Sequence, residues 1–172
     1  MNLPNKLTIA RMIAVPFFIA AYLLGYFPAA LVIFIGASIT DYFDGKIARS
    51  QNLVTNFGKI MDPLADKMLV LSAMCFLVEK GQMPGWVVAV VLFREFAVSG
   101  LRLIAAERQH VIAAAWSGKI KTTCTMIGLC FVLVFTQFEW LNIFVSAVIL
   151  ITTVYSGVEY FWKNKDVFKD VD

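Results

Sequence analysis

The sequence predicts an all-α integral membrane protein of six transmembrane helices, with room for a short interfacial segment at its N-terminus. Two observations carry this. First, 60% of the 172 residues are hydrophobic and the mean hydropathy is +0.76, more apolar surface than a soluble domain of this size can use. Second, the apolar residues fall into six runs of roughly 20, the length that crosses about 30 Å of hydrocarbon as a helix. A single membrane domain over residues 1–172 follows. The three cysteines, Cys75, Cys124 and Cys130, lie in apolar stretches without metal-ligand spacing and read as small hydrophobes, not as a disulfide framework. The net charge is a modest +3, there is no low-complexity tract or internal repeat, and nothing points to a nucleic-acid partner.

Residues 1–11 open as an amphipathic stretch suited to the interface. Residues 12–24 are uncharged and apolar. Lys6 and Arg11 before them look like the positive region of a signal peptide, but no clean cleavage site precedes the next apolar run. A retained first span over residues 7–25 is therefore expected, broken by Gly25 and Pro28. The second span covers 28–49, and its last turns carry Asp41, Asp44 and Arg49. Residues 50–57 form a short polar turn, and a third span runs over 58–79. Pro63 sits early in it, where its missing N–H costs little.

The fourth span, 84–106, holds Arg94, Glu95 and Arg102. Arg94 and Arg102 are eight residues apart, about 80° around a helix, so both can face one cavity. Arg102 is also placed to snorkel to the interface. Arg94 lies deeper and needs a partner, and Glu95 is the expected pair for a nearby cation. His110, the only histidine, falls in a polar connection. Gly118-Lys119-Ile-Lys121-Thr122 opens a fifth span, 118–135, and a sixth covers 141–162. Tyr155, Tyr160 and Trp162 near its end read as interfacial aromatics. Six spans put both termini on one side. With the N-terminus in the cytoplasm, fourteen of the fifteen Lys and Arg lie towards that side and only Lys80 falls outside, so the positive-inside rule sets the orientation.

The informative stretch runs from Asp41 to Asp66. Asp41 and Asp44 are three apart, Asp62 and Asp66 four apart, so each pair shares a helix face. Ala48, four after Asp44, adds a small residue to the acidic face, and Gly58, Asp62 and Asp66 form one stripe. Acids capping helix ends in water, or small residues packing helices, are the plainer explanations. Yet ionisable groups beside membrane spans are costly and face a cavity or a partner. Four acids from two neighbouring helices would repel one another unless a cation neutralised them. Clustered carboxylate oxygens suit Mg, Ca or Mn, and a helical hairpin with acids at one end suits a two-metal site.

The stretch also resembles the signature D-x2-D-G-x2-A-R-x8-G-x3-D-x3-D of the CDP-alcohol phosphotransferase family, with every fixed position matched. The resemblance implies two divalent ions, Mg²⁺ or Mn²⁺, held by Asp41, Asp44 and Asp62. Asp66 is then the general base that accepts the attacking hydroxyl's proton and a further candidate ligand, although a bound cation would lower its basicity. Gly45, Ala48, Arg49 and Gly58 match the positions associated with the CDP moiety, the glycines letting the nucleotide approach the backbone.

Beyond the signature, Asn2-Leu-Pro4-Asn5-Lys-Leu-Thr8-Ile-Ala-Arg11, Arg94-Glu-Phe-Ala-Val-Ser-Gly-Leu-Arg102 and Gly118-Lys-Ile-Lys-Thr122 resemble the bacterial branch whose acceptor is sn-glycerol 3-phosphate. The implied reaction joins CDP-diacylglycerol and glycerol 3-phosphate to give phosphatidylglycerophosphate and CMP in phospholipid biosynthesis. A phosphorylated acceptor needs cations besides the metals. Arg94, Arg102 and Lys119 are the leading candidates, with Lys121 and Thr8 as further ones. No Ser, Cys or His stands out as a covalent nucleophile, so direct in-line attack is expected. The resemblance further implies a homodimer in the cytoplasmic membrane, its site facing the cytoplasm. Other acceptors, such as inositol phosphate or serine, are alternatives within the family. A divalent-metal transporter is a different one, disfavoured because the acids gather at one end of the spans instead of tracking across them.

Overall fold

A computed structural model describes the backbone of residues 3–50, 56–107, 115–135 and 137–165. Side chains are described for these residues except 3, 4, 41–50, 56–60, 62, 63, 66, 106 and 107. Among the described residues there are six helices: α1 (Leu3–Leu23), α2 (Phe27–Ser50), α3 (Asn56–Glu79), α4 (Gly85–Glu107), α5 (Trp116–Val134) and α6 (Glu139–Lys163). No strand occurs among those residues. Helices α1, over Asn5–Leu23, α5 and α6 are each long and apolar enough to cross a membrane, and α2 contains a shorter apolar helix, Phe27–Thr40. This is a multi-pass membrane protein, as expected from composition.

The helix ends follow local chemistry. Gly25 closes α1 at φ 80° and Gly81 follows α3 at φ 69°, left-handed values that favour glycine. In each case the glycine N–H donates three residues back, to Tyr22 and Val78. The next N–H donates five back, to Ala21 and Leu77, which completes a Schellman closure. α6 carries Glu139 in its first turn and Lys163 in its last, each matched to the helix dipole. Several hydroxyls inside the helices are satisfied locally. Ser38, Ser72, Thr122, Thr125 and Thr152 each donate to the carbonyl four residues earlier, which removes an exposed donor from an apolar setting.

Two details differ from expectation. Residues 3–23 are one continuous helix, so the amphipathic opening is the first turns of α1 and not a separate interfacial segment. Nothing between residues 5 and 15 breaks a helix, and Thr8 and Arg11, three apart on one face, are buried. α3 starts at Asn56, which makes residue 63 its eighth. A proline there lies past the first turn, so its missing N–H does remove an intrahelical bond.

The chain divides into two compact units, Met1–Phe76 with Leu133–Phe135, and Leu77–Val132 with Thr136–Asp172. In the first, α1 packs on α2 around an aromatic cluster. Tyr22 and Phe76 stack at 4.4 Å between ring centroids, while Phe18 meets Phe34 at 6.0 Å and Phe76 at 6.1 Å. In the second, α4 packs on α6. The buried face of α6 reads Asn142, Val145, Ser146, Ile149, Thr153, Ser156 and Tyr160, the three-and-four spacing of one helical stripe. Its small residues allow close approach: a methyl on Gly128 of α5 would stand 2.7 Å from Val145 Cγ1.

Candidate active site

The four signature acids ride on two helices that are consecutive in the chain. Asp41 and Asp44 belong to the last turns of α2, Asp62 and Asp66 to the first turns of α3. Asp44 lies six residues before the end of α2 and Asp62 six after the start of α3, about 9 Å of helix in each case. The backbone thus keeps each acidic pair within one regular helix, as its spacing requires. The side chains of Asp41, Asp44, Gly45, Ala48, Arg49, Gly58, Asp62 and Asp66 lie outside the described residues, as does His110. Among the described residues no group of three His, Cys, Asp or Glu is placed to hold a metal ion, so the acids remain the candidate ligand set. Thr8, on α1 in the same unit, is fully buried and engaged within the chain.

The four basic candidates for the acceptor phosphate, Arg94, Arg102, Lys119 and Lys121, all lie in the second unit, and the structure sorts them by partner. Arg94 Nη1 donates to Glu95 Oε1 at 3.1 Å, and Lys121 Nζ donates to the same oxygen at 2.7 Å. The three side chains are 12%, 14% and 6% exposed, so the cluster is largely withdrawn from solvent. Two cations from α4 and α5 therefore converge on one carboxylate. Buried charges persist only when paired, and Glu95 provides the pairing. Glu95 is the partner that the depth of Arg94 called for, and it serves Lys121 as well.

Arg102 takes another partner. Its Nε donates to the Tyr160 hydroxyl at 2.9 Å, and its guanidinium carbon lies 5.4 Å from the centre of that ring. Arg94 is thereby linked to α5 through Glu95, and Arg102 directly to α6, although both leave α4. Tyr160 corrects the sequence expectation: it is 1% exposed and packs with Val98 and Leu101, whereas Tyr155 and Trp162 are exposed. The signal was available in the α6 stripe, which Tyr160 continues by four-residue spacing from Ser156. Lys119 is exposed and rests over Trp116, 4.9 Å from the ring centre. Lys121, two residues later, points to the interior instead, since residues two apart do not share a helix face.

This arrangement offers an anion two buried cations held at one place by a shared carboxylate, a third at the Tyr160 hydroxyl and a fourth at the exposed end of α5. Arginine adds a planar fork of donors suited to phosphate oxygens.

Comparison with known proteins gives a consistent result. Residues 1–157 match the family described as CDP-alcohol phosphatidyltransferase. A Bacillus subtilis (strain 168) protein named CDP-diacylglycerol–glycerol-3-phosphate 3-phosphatidyltransferase is 43% identical, the match covering 98% of this chain and 97% of the relative. Relatives of the same name from Rickettsia felis and Escherichia coli (strain K12) are 36% and 37% identical. Those matches cover 97% and 92% of this chain, and equal shares of the relatives.

Proposed function

This chain belongs to the CDP-alcohol phosphatidyltransferase family, and from that premise we propose that it transfers the phosphatidyl group of CDP-diacylglycerol to sn-glycerol 3-phosphate, giving phosphatidylglycerophosphate and CMP. The observation that carries this reading is the 43% identity, over 98% of the chain, to a relative bearing the name of that reaction. A complete acidic signature in α2 and α3 supports it, as does a buried cation cluster in α4 and α5.

Asp41, Asp44, Asp62 and Asp66 are the residues to hold two divalent ions, Mg²⁺ or Mn²⁺. Such ions, when bound, neutralise a diphosphate and polarise its phosphorus. Gly45, Ala48, Arg49 and Gly58 receive the cytidine nucleotide. Arg94 and Lys121 orient the phosphate of the acceptor, with Arg102, Lys119 and Thr8 as further contacts. Asp66 takes the proton from the acceptor hydroxyl as that oxygen attacks the phosphorus bonded to diacylglycerol. The P–O bond to the cytidylyl phosphate breaks and CMP leaves with its electron pair. Fixing both reactants supplies much of the rate, because the encounter becomes effectively unimolecular. The enzyme works as a homodimer in the cytoplasmic membrane with its site open to the cytoplasm, where the water-soluble acceptor is found.

The test is CMP release by the purified protein in detergent with CDP-diacylglycerol, a divalent ion and one of several acceptors. Release is expected with glycerol 3-phosphate, and Asp66→Asn should lower it by about 10²-fold or more, the scale of losing a general base. Chelation of the divalent ion should stop it. Release with serine or inositol phosphate but not glycerol 3-phosphate would overturn the acceptor, and a trapped phosphatidyl-enzyme would overturn the single displacement.

A further inference from the structure

The geometry points to Gly157 as a positioning residue that holds Arg94 in line for the acceptor phosphate. This rests on the reading above that Arg94 meets that phosphate. The Arg94 side chain leaves α4 and runs past glycines from two other helices. A methyl group at Gly157 of α6 would stand 3.3 Å from Arg94 Cγ, and one at Gly118 of α5 would stand 3.4 Å from Arg94 Nη2. The first approach is tight and falls near the root of the side chain; the second is ordinary van der Waals contact at its charged tip. Gly36 and Gly100, by contrast, have no atom within 4 Å of such a methyl.

The guanidinium between these contacts is only partly committed. Nη1 is held by Glu95, whereas Nε is buried and without a hydrogen-bond partner among the described residues. A guanidinium has five donors in a rigid fork, so donors remain for an anion whose oxygens match that fork. The aim of the fork is set by where Cγ and Nη2 lie. A side chain at Gly157 must push Cγ aside by a few tenths of an ångström, and the displacement is carried along the arm to the tip. Gly157 does not touch substrate; it acts by leaving the space that Arg94 fills.

The test uses the full-length protein with glycerol 3-phosphate and CDP-diacylglycerol varied separately, comparing wild type, Gly157→Ala, Gly157→Val and Gly100→Ala. The KM for glycerol 3-phosphate should rise about 3- to 10-fold in Gly157→Ala and further in Gly157→Val. The KM for CDP-diacylglycerol and kcat should stay within about 2-fold, because only acceptor binding is disturbed. Gly100→Ala should match wild type. In an Arg94→Ala background Gly157→Ala should add nothing, since its effect passes through Arg94. If Gly157→Val does not fold, Gly157→Ala decides. An unchanged acceptor KM in Gly157→Ala, an equal change for both substrates, or full additivity with Arg94→Ala overturns the positioning role while leaving the reaction in place. Absence of turnover with glycerol 3-phosphate in wild type overturns the reaction and this role together.

Discussion

Arg94 and Lys121 on one hand, Lys119 and Lys163 on the other, show how differently the second unit treats its cations. The first two are buried and share Glu95. Lys119 lies exposed over the Trp116 ring, and Lys163 reaches Glu159 one helical turn away while remaining 63% exposed. All four are single charges on apolar helices, and a composition count treats them alike. Burial separates them. A charge withdrawn from water depends on its partner, whereas an exposed one keeps its hydration and gains little from pairing. The buried pair therefore holds a fixed geometry, and the two exposed lysines mark a surface.

This contrast can be broken most directly at Glu95. Glu95→Ala leaves two buried cations without their shared carboxylate and should cost about 3–5 kcal/mol, the usual penalty for stripping one partner from a buried pair. Melting in detergent measures it, and a loss under about 1 kcal/mol would show that the cluster is hydrated after all. Gly128→Ala asks whether the tight α5–α6 contact is structural. The 2.7 Å approach to Val145 forces the helices apart, and overpacking of this kind costs about 1–3 kcal/mol. Unlike Gly157→Ala, it should lower stability without a selective change in acceptor KM; a selective rise would move the boundary between packing and positioning. Tyr160→Phe keeps the ring under Arg102 and removes the hydroxyl. Because Arg102 is exposed and can turn to water, a cost of about 1 kcal/mol is expected, and a loss above about 3 kcal/mol would place Arg102 with the buried set. Lys163→Ala is the smallest test. Its melting curve should overlay that of wild type, and a clear downward shift would mean that exposure fails to sort these cations.

Most of the helical plan was legible before any fold was known. Long apolar runs leave a membrane-spanning chain little choice but helix, because lipid offers the backbone no hydrogen-bond partner. Gly25 marked the first turn and takes up a left-handed conformation there. Expected and observed ends agree within about two residues for α2 to α6, the usual fraying distance. The failures have a common cause. The N-terminal stretch was separated from α1 by its polarity, yet Thr8 and Arg11 point into the protein. Tyr160 was assigned to the interface because it neighbours exposed aromatics, yet its place on the buried stripe of α6 decides its surroundings. In both cases residue type was weighed above helical phase.

What the sequence determined by itself was the helical membrane architecture, the family and the acidic signature. Each of these rests on local pattern: apolar run length, fixed spacing and three- or four-residue intervals along one helix. What only the tertiary structure decided was the fate of the distant cations. Nothing in the spacing of Glu95 and Lys121, or of Arg102 and Tyr160, marks them as pairs, because their contacts run between helices. The narrow space around Arg94 was likewise hidden until α5 and α6 brought Gly118 and Gly157 against it. Local periodicity fixes which way a side chain leaves its own helix, but only the packing of helices on one another fixes what it meets.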